Sequence, residues 1–398
     1  MRRPGGEAQD VHRPRVMIVA GEASGDAHGA GLVWALRARG LDARFFGVGG
    51  PAMAAAGVEL REDYRDLAVV GLTEVVGRLP RILSLMRRLT RELRLDPPDL
   101  FVPIDAPDFN LRLAGVAAAR DVPVVYFVAP QVWAWRERRV HTLRRCVREL
   151  LVLFPFEPNW FAARGVPATL IGHPLIDALD AFRPDPGLAQ CLGLAEGDAL
   201  GLMLPGSRTG EIARHLPIFA AAARRLQPRF PRLRWVVRQA PKVDDRTYAP
   251  WIADGTLRLR TESIFELAHA ARVVVSASGT ASFEAALTTT PLIVVYRVSP
   301  ITWALARRMV RVPWVSMANL TAGRAIVPEL LQGDCTPDGL AGEIAALLGD
   351  PARATRMRAE LAALRACFAT RGAYARAAER VLAHLGPEAA ADSAEGRR

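Results

Sequence analysis

Two carboxylates at the end of an apolar run are the first residues whose types and spacing suit chemistry. The segment "LFVPIDAPDFN" (100–110) places Asp105 directly after five apolar residues, and Asp108 follows beside Pro107. A carboxylate at the end of a buried strand can accept a proton from a sugar hydroxyl, so Asp105 is a candidate general base. Asp108, next to a proline, instead predicts a cap for the helical segment that follows.

A glycine-rich turn near the start of the chain is a second candidate. In "VAGEASGDAHGAG" (19–31), glycines at 21, 25 and 29 are four residues apart, unlike the G-x-G-x-x-G fingerprint, which disfavours NAD or FAD. Ser24 or Asp26 can cap the helix that follows, or both can face a substrate. The residues alone leave these two interpretations open.

Two turns in the second half are suited to phosphate. "LGLMLPGSRTGEI" (200–212) and "VVVSASGTASFEAAL" (273–287) each pass from an apolar run through small residues into a helical segment. Helix N-termini with small residues favour anions, and an arginine adds a bidentate phosphate donor. Neither turn has the lysine of a P-loop, so NTPase chemistry is excluded. The predicted nucleotide-diphosphate residues are Gly206, Ser207, Arg208, Ser278, Gly279 and Thr280, with Glu284 for the ribose hydroxyls.

Metal chemistry finds no support in the sequence. There is no H-E-x-x-H, no Cys/His cluster and no D-x-D, so we predict no metal and no cofactor. His173 is expected to be structural, whereas His28 could face the substrate. Four scattered cysteines fit reduced thiols in an intracellular protein.

The elements that position these residues alternate regularly. Short apolar runs, such as "VPVVYFVAP" and "ELLVLFPF", end in Gly, Asp or Pro and lead into segments of helical period. This order predicts α/β structure with doubly wound parallel sheets. The series begins twice, with a junction near residues 174–190, and by analogy we expect two Rossmann-like domains facing a cleft. The predicted parts are a disordered extension (1–14), the two domains (15–175 and 176–345), C-terminal helices (346–385) and a disordered tail (386–398).

Arginine-rich segments set the expected partners. The formal charge of +11 allows nucleic acid or anionic membrane, but aromatic residues suited to base stacking are few, so we predict no nucleic acid. The apolar run "DLAVVGLTEVVG" (66–77) precedes an arginine-rich helix predicted over 77–94 and starting near Pro80. This arginine-rich helix either packs on its own sheet or lies on anionic lipid. The predicted membrane or acyl contacts are Val69, Val70, Leu72, Val75, Val76, Leu79, Ile82, Leu83, Met86, Arg87 and Arg88, with Leu89 and Leu93 on the same face.

No run is long enough for a signal peptide or a membrane span. The N-terminal apolar run "VMIVA" ends after five residues, whereas a signal peptide needs roughly 7–15 apolar residues and a span needs about 20. We therefore expect a soluble or peripheral protein that stays inside the cell.

Taken together, the motifs resemble the lipid-A-disaccharide synthase family of bacterial glycosyltransferases. The matching segments run in the family's order over roughly residues 15–375. They are "GEASGD", "VGLTEVVGRLPRIL", "IDAPDFN", "YFVAPQVWAWR", "LFPFEPNWF", "IGHPL", "LPGSR", "SASGTASFEAAL" and "SMANLTAGRAIVPELLQ". The turns are shared with many two-Rossmann transferases, whereas "IDAPDFN" and "APQVWAWR" are specific to this family.

The resemblance implies a GT-B fold and an inverting transfer of glucosamine. UDP-2,3-diacylglucosamine would be the donor and 2,3-diacylglucosamine 1-phosphate (lipid X) the acceptor. The products would be UDP and the β-1,6-linked disaccharide 1-phosphate of lipid A biosynthesis. It also implies a peripheral protein on the inner face of the inner membrane, and homodimers formed by exchange of C-terminal segments.

Residue roles follow from the same resemblance. Asp105 would deprotonate the acceptor 6-hydroxyl, and Ser24 and Asp26 would lie on the acceptor side. Arg297, Asn319 and Arg324 match family positions around the nucleotide. A transferase or epimerase that acts on UDP-N-acetylglucosamine is the alternative enzyme, and an anionic-surface binding protein is the non-enzymatic one.

Overall fold

The computed structural model describes residues 13–64, 72–241, 243–300, 302–304, 310 and 312–385, without the side chains of 72–78. The extension and tail predicted to be disordered, and the predicted contacts Val69 and Val70, lie mostly or wholly outside this range. Residue contacts divide the chain into two units. The first runs to Val132 and adds Glu137–Gly172 and the segment from Gly372 onward, and the second comprises Trp133–Arg136 and His173–Arg371.

The first unit has a parallel seven-stranded sheet in the order β3-β2-β1-β4-β5-β6-β7. Its strands are β1 (Arg15–Ala20), β2 (Arg44–Gly49), β3 (Glu59–Asp63), β4 (Leu100–Ile104), β5 (Val125–Phe127), β6 (Glu149–Val152) and β7 (Ala168–Leu170). Its helices are α1 (Ala23–Arg37), α2 (Pro51–Ala55), α3 (Leu72–Leu95), α4 (Pro107–Ala118), α5 (Val140–Cys146) and α6 (Glu157–Ala162). Every residue of β4 is buried, because helices cover both sheet faces, and this explains the non-alternating apolar run.

The second unit repeats the arrangement with a parallel six-stranded sheet in the order β10-β9-β8-β11-β12-β13. Its strands are β8 (Ala199–Leu204), β9 (Leu233–Arg238), β10 (Leu257–Arg260), β11 (Ala271–Ala277), β12 (Leu292–Tyr296) and β13 (Glu329–Leu331). Its helices are α7 (Pro174–Ala181), α8 (Leu188–Cys191), α9 (Thr209–Leu226), α10 (Ala249–Ile252), α11 (Ile264–Ala270), α12 (Thr280–Leu287), α13 (Met317–Ala322), α14 (Pro337–Gly349) and α15 (Pro351–Ala366). The doubly wound parallel folds predicted from the alternating runs are thus present in both units.

The last described helix, α16 (Ala373–Leu385), belongs to the first unit. The sequence analysis predicted the C-terminal helices over 346–385 as one segment, but α15 belongs to the second unit and α16 to the first. Helix α16 buries Ala373, Ala377 and Val381. Small side chains on that face allow close packing on the first unit.

A buried carboxylate anchors α16 to the sheet. Glu149, at the start of β6, accepts hydrogen bonds from Arg380 Nε (2.9 Å), His384 Nε2 (2.7 Å) and the Thr169 hydroxyl (2.5 Å). Burial raises the pKa of Glu149, but these three hydrogen bonds outweigh it and lower the pKa to about 2. The last helix is therefore held on the first unit by a charged contact with Glu149, a residue more than 200 positions earlier, and the sequence around either partner does not indicate this contact.

Helix α3 differs from its predicted start. It begins at Leu72 rather than near Pro80, which lies inside the helix. A proline inside a helix removes one backbone donor and usually costs about 3 kcal/mol. Because of this cost, the sequence analysis predicted that the helix starts at the proline.

We predict that Glu149→Gln destabilises the protein in a pH-dependent way. The folded pKa lies below the ordinary value of 4.5, so the stabilisation is present above pH 4.5 and is lost as the pH falls towards 2. At pH 7 the variant should lose about 3 kcal/mol of unfolding free energy, and the difference should shrink between pH 4.5 and pH 3.

Urea unfolding of both proteins across this pH range measures the difference. Glu379→Gln, on the same helix, removes an exposed partner of Arg39 and should cost less than about 1 kcal/mol. A loss for Glu149→Gln that stays constant down to pH 3 would contradict the charged anchor.

Candidate functional site

The strand order reverses direction at one point in each sheet. In the first sheet β1 lies beside β4, with Ala20 paired to Ile104, and in the second β8 lies beside β11, with Leu204 paired to Ser276. Chain segments that leave such neighbouring strands diverge above the sheet edge and leave a crevice where ligands bind in open α/β folds. All four segments singled out in the sequence leave these four strands.

Asp105 follows β4 in an unusual backbone conformation. Asp105 and Ala106 both have left-handed φ angles, 46° and 47°. The Asp105 carbonyl accepts hydrogen bonds from the Tyr126 hydroxyl (2.5 Å) and Asn110 Nδ2 (2.8 Å). The Asn110 amide also lies 3.1 Å from the Val19 carbonyl of β1, so one buried side chain links both strand ends. Left-handed non-glycine residues are strained, and these contacts hold the turn in place.

The turn also depends on a close backbone approach from β1. A Cβ atom added at Gly21 would lie 2.3 Å from the Cβ of Ala106, so any side chain at Gly21 would displace the turn. Gly21 therefore permits close approach of the neighbouring turn.

The carboxyl group of Asp105 is suited to accept a proton. Burial is the main cause that raises its pKa, and the negative charge of Glu22 adds to it, giving a pKa of about 6. An Ala106 backbone hydrogen bond opposes the increase. Asp105 is therefore ionised at neutral pH and yet a stronger base than an ordinary aspartate.

Glu22 is a site residue that the sequence reasoning missed. It lies at the N-terminal end of α1, where Ser24 Oγ donates to its carboxylate (2.9 Å). The signal was available: Glu22 follows β1 by two residues and Asp105 follows β4 by one, so the pairing of these strands brings the two acids together. Ser24 thus contacts Glu22, whose negative charge acts on the candidate base Asp105.

Asp26 has a structural role. Its carboxylate accepts backbone hydrogen bonds from Gly50 (2.7 Å), Met53 (3.0 Å) and Ala52 (3.1 Å) at the start of α2. The side chain is only 4% exposed. Asp26 was predicted to cap α1 or to face the acceptor, but it caps a different helix, because the pairing of β1 with β2 brings α2 beside α1.

The predicted helix cap at Asp108 is wrong. Pro107 takes the first helical position of α4, so the N-cap residue is Ala106 and Asp108 lies inside the first turn. There its charge favours the positive helix end, and the carboxylate pairs with Arg139.

In the second unit, the turn after β8 is held by a carboxylate. Glu211, in the first turn of α9, accepts from the Ser207 backbone N–H (2.9 Å) and lies 3.4 Å from Arg208 Nη1. Gly206 has a φ of 132°, which only glycine adopts readily. The backbone donor that the sequence assigned to phosphate is thus occupied by an anionic side chain of the same chain.

The turn after β11 leads directly into α12. The Ser278 hydroxyl donates to the Val315 carbonyl (2.7 Å), whereas Gly279 and Thr280 are exposed. Apart from the chain neighbours and the backbone of α12 itself, no described residue has an atom within 4 Å of a Cβ built on Gly279, which leaves room beside this helix end. Burial raises the pKa of Glu284 to about 7, and the Arg238 guanidinium opposes this increase.

A buried histidine links two of these segments and was also missed. His215 is 1% exposed, and its Nδ1 lies 2.8 Å from the Pro205 carbonyl while its Nε2 accepts from the Arg297 backbone N–H at 3.1 Å. Both contacts need neutral imidazole protonated at Nδ1, and burial, the largest effect, lowers the pKa of His215. His215 therefore holds the β8 turn against the residue that follows β12.

The three remaining predicted nucleotide residues differ in what they contact. The Arg297 guanidinium lies 3.5 Å from the Cys335 carbonyl, and Arg324 is exposed and paired with Glu360. Asn319 is 1% exposed; its Nδ2 donates to Val327 and Glu329, and its Oδ1 accepts from the Ile326 and Val327 amides. These four bonds use its full capacity, so Asn319 holds the segment before β13 and has no group left for a ligand.

The predicted membrane contacts of helix α3 and the leucines near them differ in exposure. Leu72, Val75 and Val76 have side chains outside the described residues. Leu85, Leu89 and Leu93 are buried against the first unit, which is the packing face. Leu79 (45%), Leu83 (38%), Arg87 and Arg88 are exposed, whereas Ile82 and Met86 are half-buried, so the predicted face that included Leu89 and Leu93 is wrong.

The remaining sequence candidates have structural contacts. His173 Nδ1 accepts from the Leu175 amide (3.2 Å) at the start of α7, as expected of a structural histidine. His28 lies 3.1 Å from the Tyr374 hydroxyl and packs beside Phe127. Among the described residues, no group of three His, Cys, Asp or Glu side chains could hold a metal ion, and no helix could cross a membrane.

Comparisons with known proteins found a family profile and relatives that match most of the chain. A family profile described as Lipid-A-disaccharide synthetase matches residues 16–373. The Lipid-A-disaccharide synthase of Myxococcus xanthus is 44% identical over 376 residues, covering 94% of this chain and 98% of the relative. That of Alkalilimnicola ehrlichii is 44% identical over 379 residues, covering 94% and 99%.

Solved structures share the fold at low sequence identity. The UDP-GlcNAc 2-epimerase from Neisseria meningitidis bound to UDP-GlcNAc has a TM-score of 0.63 and 12% identity, covering 93% of this chain and 100% of that chain. CalG4, the Calicheamicin Glycosyltransferase, has a TM-score of 0.59 and 18% identity, covering 94% and 99%. These similarities confirm the predicted GT-B architecture.

We predict that Asp105→Asn stabilises the protein at neutral pH. The folded pKa of about 6 exceeds the ordinary 3.8, so the wild type loses stability as the pH rises from 4 to 6 and does not recover it above pH 6. Asparagine stays neutral and tolerates left-handed φ, so the variant should gain up to about 3 kcal/mol at pH 7.5 and almost nothing at pH 4.

Thermal and urea unfolding at both pH values test this. Asp121→Asn is the matched control, because Asp121 is exposed and also has a left-handed φ of 58°. If Asp105→Asn is less stable than the wild type at pH 7.5, the ionised Asp105 carboxylate does not lower the free energy of unfolding, and the prediction is contradicted.

Proposed function

Because the chain belongs to the lipid-A-disaccharide synthase family of enzymes, we propose that it transfers glucosamine from UDP-2,3-diacylglucosamine to 2,3-diacylglucosamine 1-phosphate. The products are UDP and a β-1,6-linked disaccharide 1-phosphate, formed with inversion at the sugar carbon. The observation that carries this proposal is Asp105, whose raised pKa and strained turn at the strand reversal suit a general base.

Asp105 acts on the acceptor in this scheme. Its carboxylate takes the proton of the 6-hydroxyl as the oxygen attacks the donor carbon, and UDP leaves from the opposite side. The charge of Glu22 keeps the Asp105 carboxylate basic, and Ser24 fixes the position of Glu22. One base is sufficient, because an inverting displacement forms no covalent intermediate with the enzyme.

The second unit binds the donor. The N-termini of α9 and α12 present backbone N–H groups and positive helix ends to the diphosphate, and Arg208 adds a charged donor. Glu284 accepts from the ribose hydroxyls in this scheme. The diphosphate competes with Glu211 for the Ser207 amide, and Arg297 lies beside this turn because His215 links the two segments. We propose no metal and no cofactor, because fixed dipoles and arginine stabilise the leaving UDP.

We also propose that the protein acts at the inner face of the inner membrane, on its lipid substrates. Leu79 and Leu83 of α3 are exposed beside arginines, a combination suited to anionic lipid. The proposal also includes a homodimer in which α16 is exchanged between chains. The contacts of Arg380 and His384 with Glu149 would then form between two copies.

An enzyme acting on UDP-N-acetylglucosamine is the second candidate, because a UDP-GlcNAc 2-epimerase shares the fold. A soluble sugar needs no apolar surface, so the exposed leucines of α3 favour the lipid substrate.

A turnover assay tests the proposed reaction. Purified protein is incubated with UDP-2,3-diacylglucosamine and 2,3-diacylglucosamine 1-phosphate, and UDP and disaccharide are followed by mass spectrometry. General-base catalysis contributes about 10²–10⁴ in rate, so Asp105→Asn should lose at least about 100-fold in kcat while staying folded. Below pH 6, wild-type kcat/KM should fall about tenfold per pH unit, because protonation removes the base.

Two results would contradict this function. Absence of UDP and disaccharide with the wild type would exclude the reaction, and UDP-N-acetylglucosamine turnover would point to the second candidate. Retained turnover in Asp105→Asn would remove Asp105 as the base. Asp121→Asn again serves as control and should keep full activity.

We predict that Leu79→Glu with Leu83→Glu weakens membrane binding. Each leucine contributes roughly 1.5–3 kcal/mol when buried in an apolar phase, and anionic lipid repels the added glutamates. The partition coefficient onto phosphatidylglycerol vesicles is measured by sedimentation. It should fall at least tenfold, because a loss of about 1.4 kcal/mol corresponds to a factor of ten.

Trp34→Glu with Leu95→Glu is the matched control. It makes the same charge change at two other exposed apolar residues of the first unit, which are 55% and 71% exposed. Equal losses in both double variants would mean that net charge, and not the surface of α3, sets the binding.

A further inference from the structure

A basic groove lies beside the turn that carries Asp105. It has a volume of about 560 Å³ and is formed by α4, α5 and the residues just before α5. Its charged and polar side chains are Asp108, Arg112, Arg139, Thr142 and Arg145. None of these residues has a role in the reaction described above.

Positive charge exceeds negative charge in the groove. Arg139 is paired with Asp108 and its side chain is 17% exposed, so this arginine is already held in place. Arg112 and Arg145 are exposed and make no hydrogen bond or ion pair with the part of the chain that the structure describes. Within the described residues, two guanidinium groups of one groove therefore have no anionic partner.

This composition selects an anion with several oxygen atoms. Guanidinium groups present forked N–H donors that match phosphate oxygens in pairs. Thr142 adds a neutral hydroxyl donor. A phosphate monoester carries up to two negative charges, which equals the surplus of two arginines. A carboxylate would leave one guanidinium without a partner.

The groove continues from the candidate base along the chain. Pro107 and Asp108 line it, and they follow Asp105 by two and three residues. Asp108 and Arg139 also act electrostatically on Tyr126, whose hydroxyl binds the Asp105 carbonyl. The groove therefore begins at the same turn as the candidate base.

We propose that this groove binds the phosphate monoester of the acceptor sugar, through Arg112 and Arg145 with Arg139 and Thr142 as further donors. The assignment of the phosphate to the acceptor rests on the proposed function. It makes the groove a specificity site: an acceptor without phosphate leaves two cations unpaired and binds more weakly.

Direct binding of a soluble probe tests the groove without any turnover. Glucosamine 1-phosphate is titrated into the full-length protein by calorimetry at low ionic strength, with glucosamine as the neutral comparison. Arg112→Gln with Arg145→Gln should raise the Kd for glucosamine 1-phosphate at least about tenfold and leave the weak binding of glucosamine unchanged.

A control variant separates the groove from the general charge. Arg120→Gln with Arg148→Gln removes two exposed arginines of the same unit outside the groove and should leave the Kd within about twofold of the wild type. Equal losses in both double variants, or no saturable wild-type binding of glucosamine 1-phosphate, would overturn the proposal.

Two further arms distinguish the source of the phosphate and the fate of the proposed function. If the groove variant keeps its affinity for glucosamine 1-phosphate but loses binding to phosphatidylglycerol vesicles, the groove takes a lipid headgroup and the proposal is overturned. In turnover, the groove variant should raise KM for the phosphorylated acceptor at unchanged kcat, with no change for 2,3-diacylglucosamine. If the wild type binds glucosamine 1-phosphate but releases no UDP in the turnover assay, the proposed reaction is contradicted, whereas phosphate binding in the groove is supported.

Discussion

The reversal of strand order in each parallel sheet is the constraint on which the rest of the structure depends. A parallel sheet directs all its strand ends to one edge, and the chain segments after β1 and β4 leave that edge side by side. The buried strands therefore bring Glu22 and Asp105 together although 83 residues separate them. The same arrangement in the second unit places the turns after β8 and β11 beside each other. The positions of these candidate site residues are a consequence of strand pairing.

Much of this arrangement is readable from the sequence, because parallel strands buried on both faces leave unbroken apolar runs. The run before Asp105 predicted β4, and its end predicted where the carboxylate lies. The turns at Gly206–Arg208 and Ser278–Thr280 were also found, since small residues between an apolar run and a helix mark the end of a strand. These features are local, and local chemistry is what a single sequence records directly.

Several residues that the sequence analysis misassigned or missed make contacts that span long distances in the chain. Asp26 caps a helix that begins 25 residues later, and Asn319 holds a neighbouring segment with all four of its hydrogen bonds. His215 links residues 205 and 297, a contact with no sequence signature. In each case a polar side chain near a turn looked available for a ligand, or was overlooked, because its partner lies on another element. Buried polar groups must be paired, but the sequence does not say with what.

Asp105, at the reversal of strand order in the first sheet, has two energetically unfavourable features that a purely structural residue would not need. Its backbone is held in a left-handed conformation next to a second left-handed residue, and its carboxyl group is half-buried near another acid. Neither feature is needed to complete β4 or to start α4, since Asn110 and Tyr126 bind the backbone carbonyl and not the carboxylate. The surrounding contacts thus hold a strained turn whose side chain stays free to take a proton. Asp108, three residues away, is exposed and paired with Arg139, and it has neither feature. The difference between these two acids is therefore one of environment: Asp105 lies in a strained turn beside Glu22, whereas Asp108 is exposed to solvent and paired with Arg139.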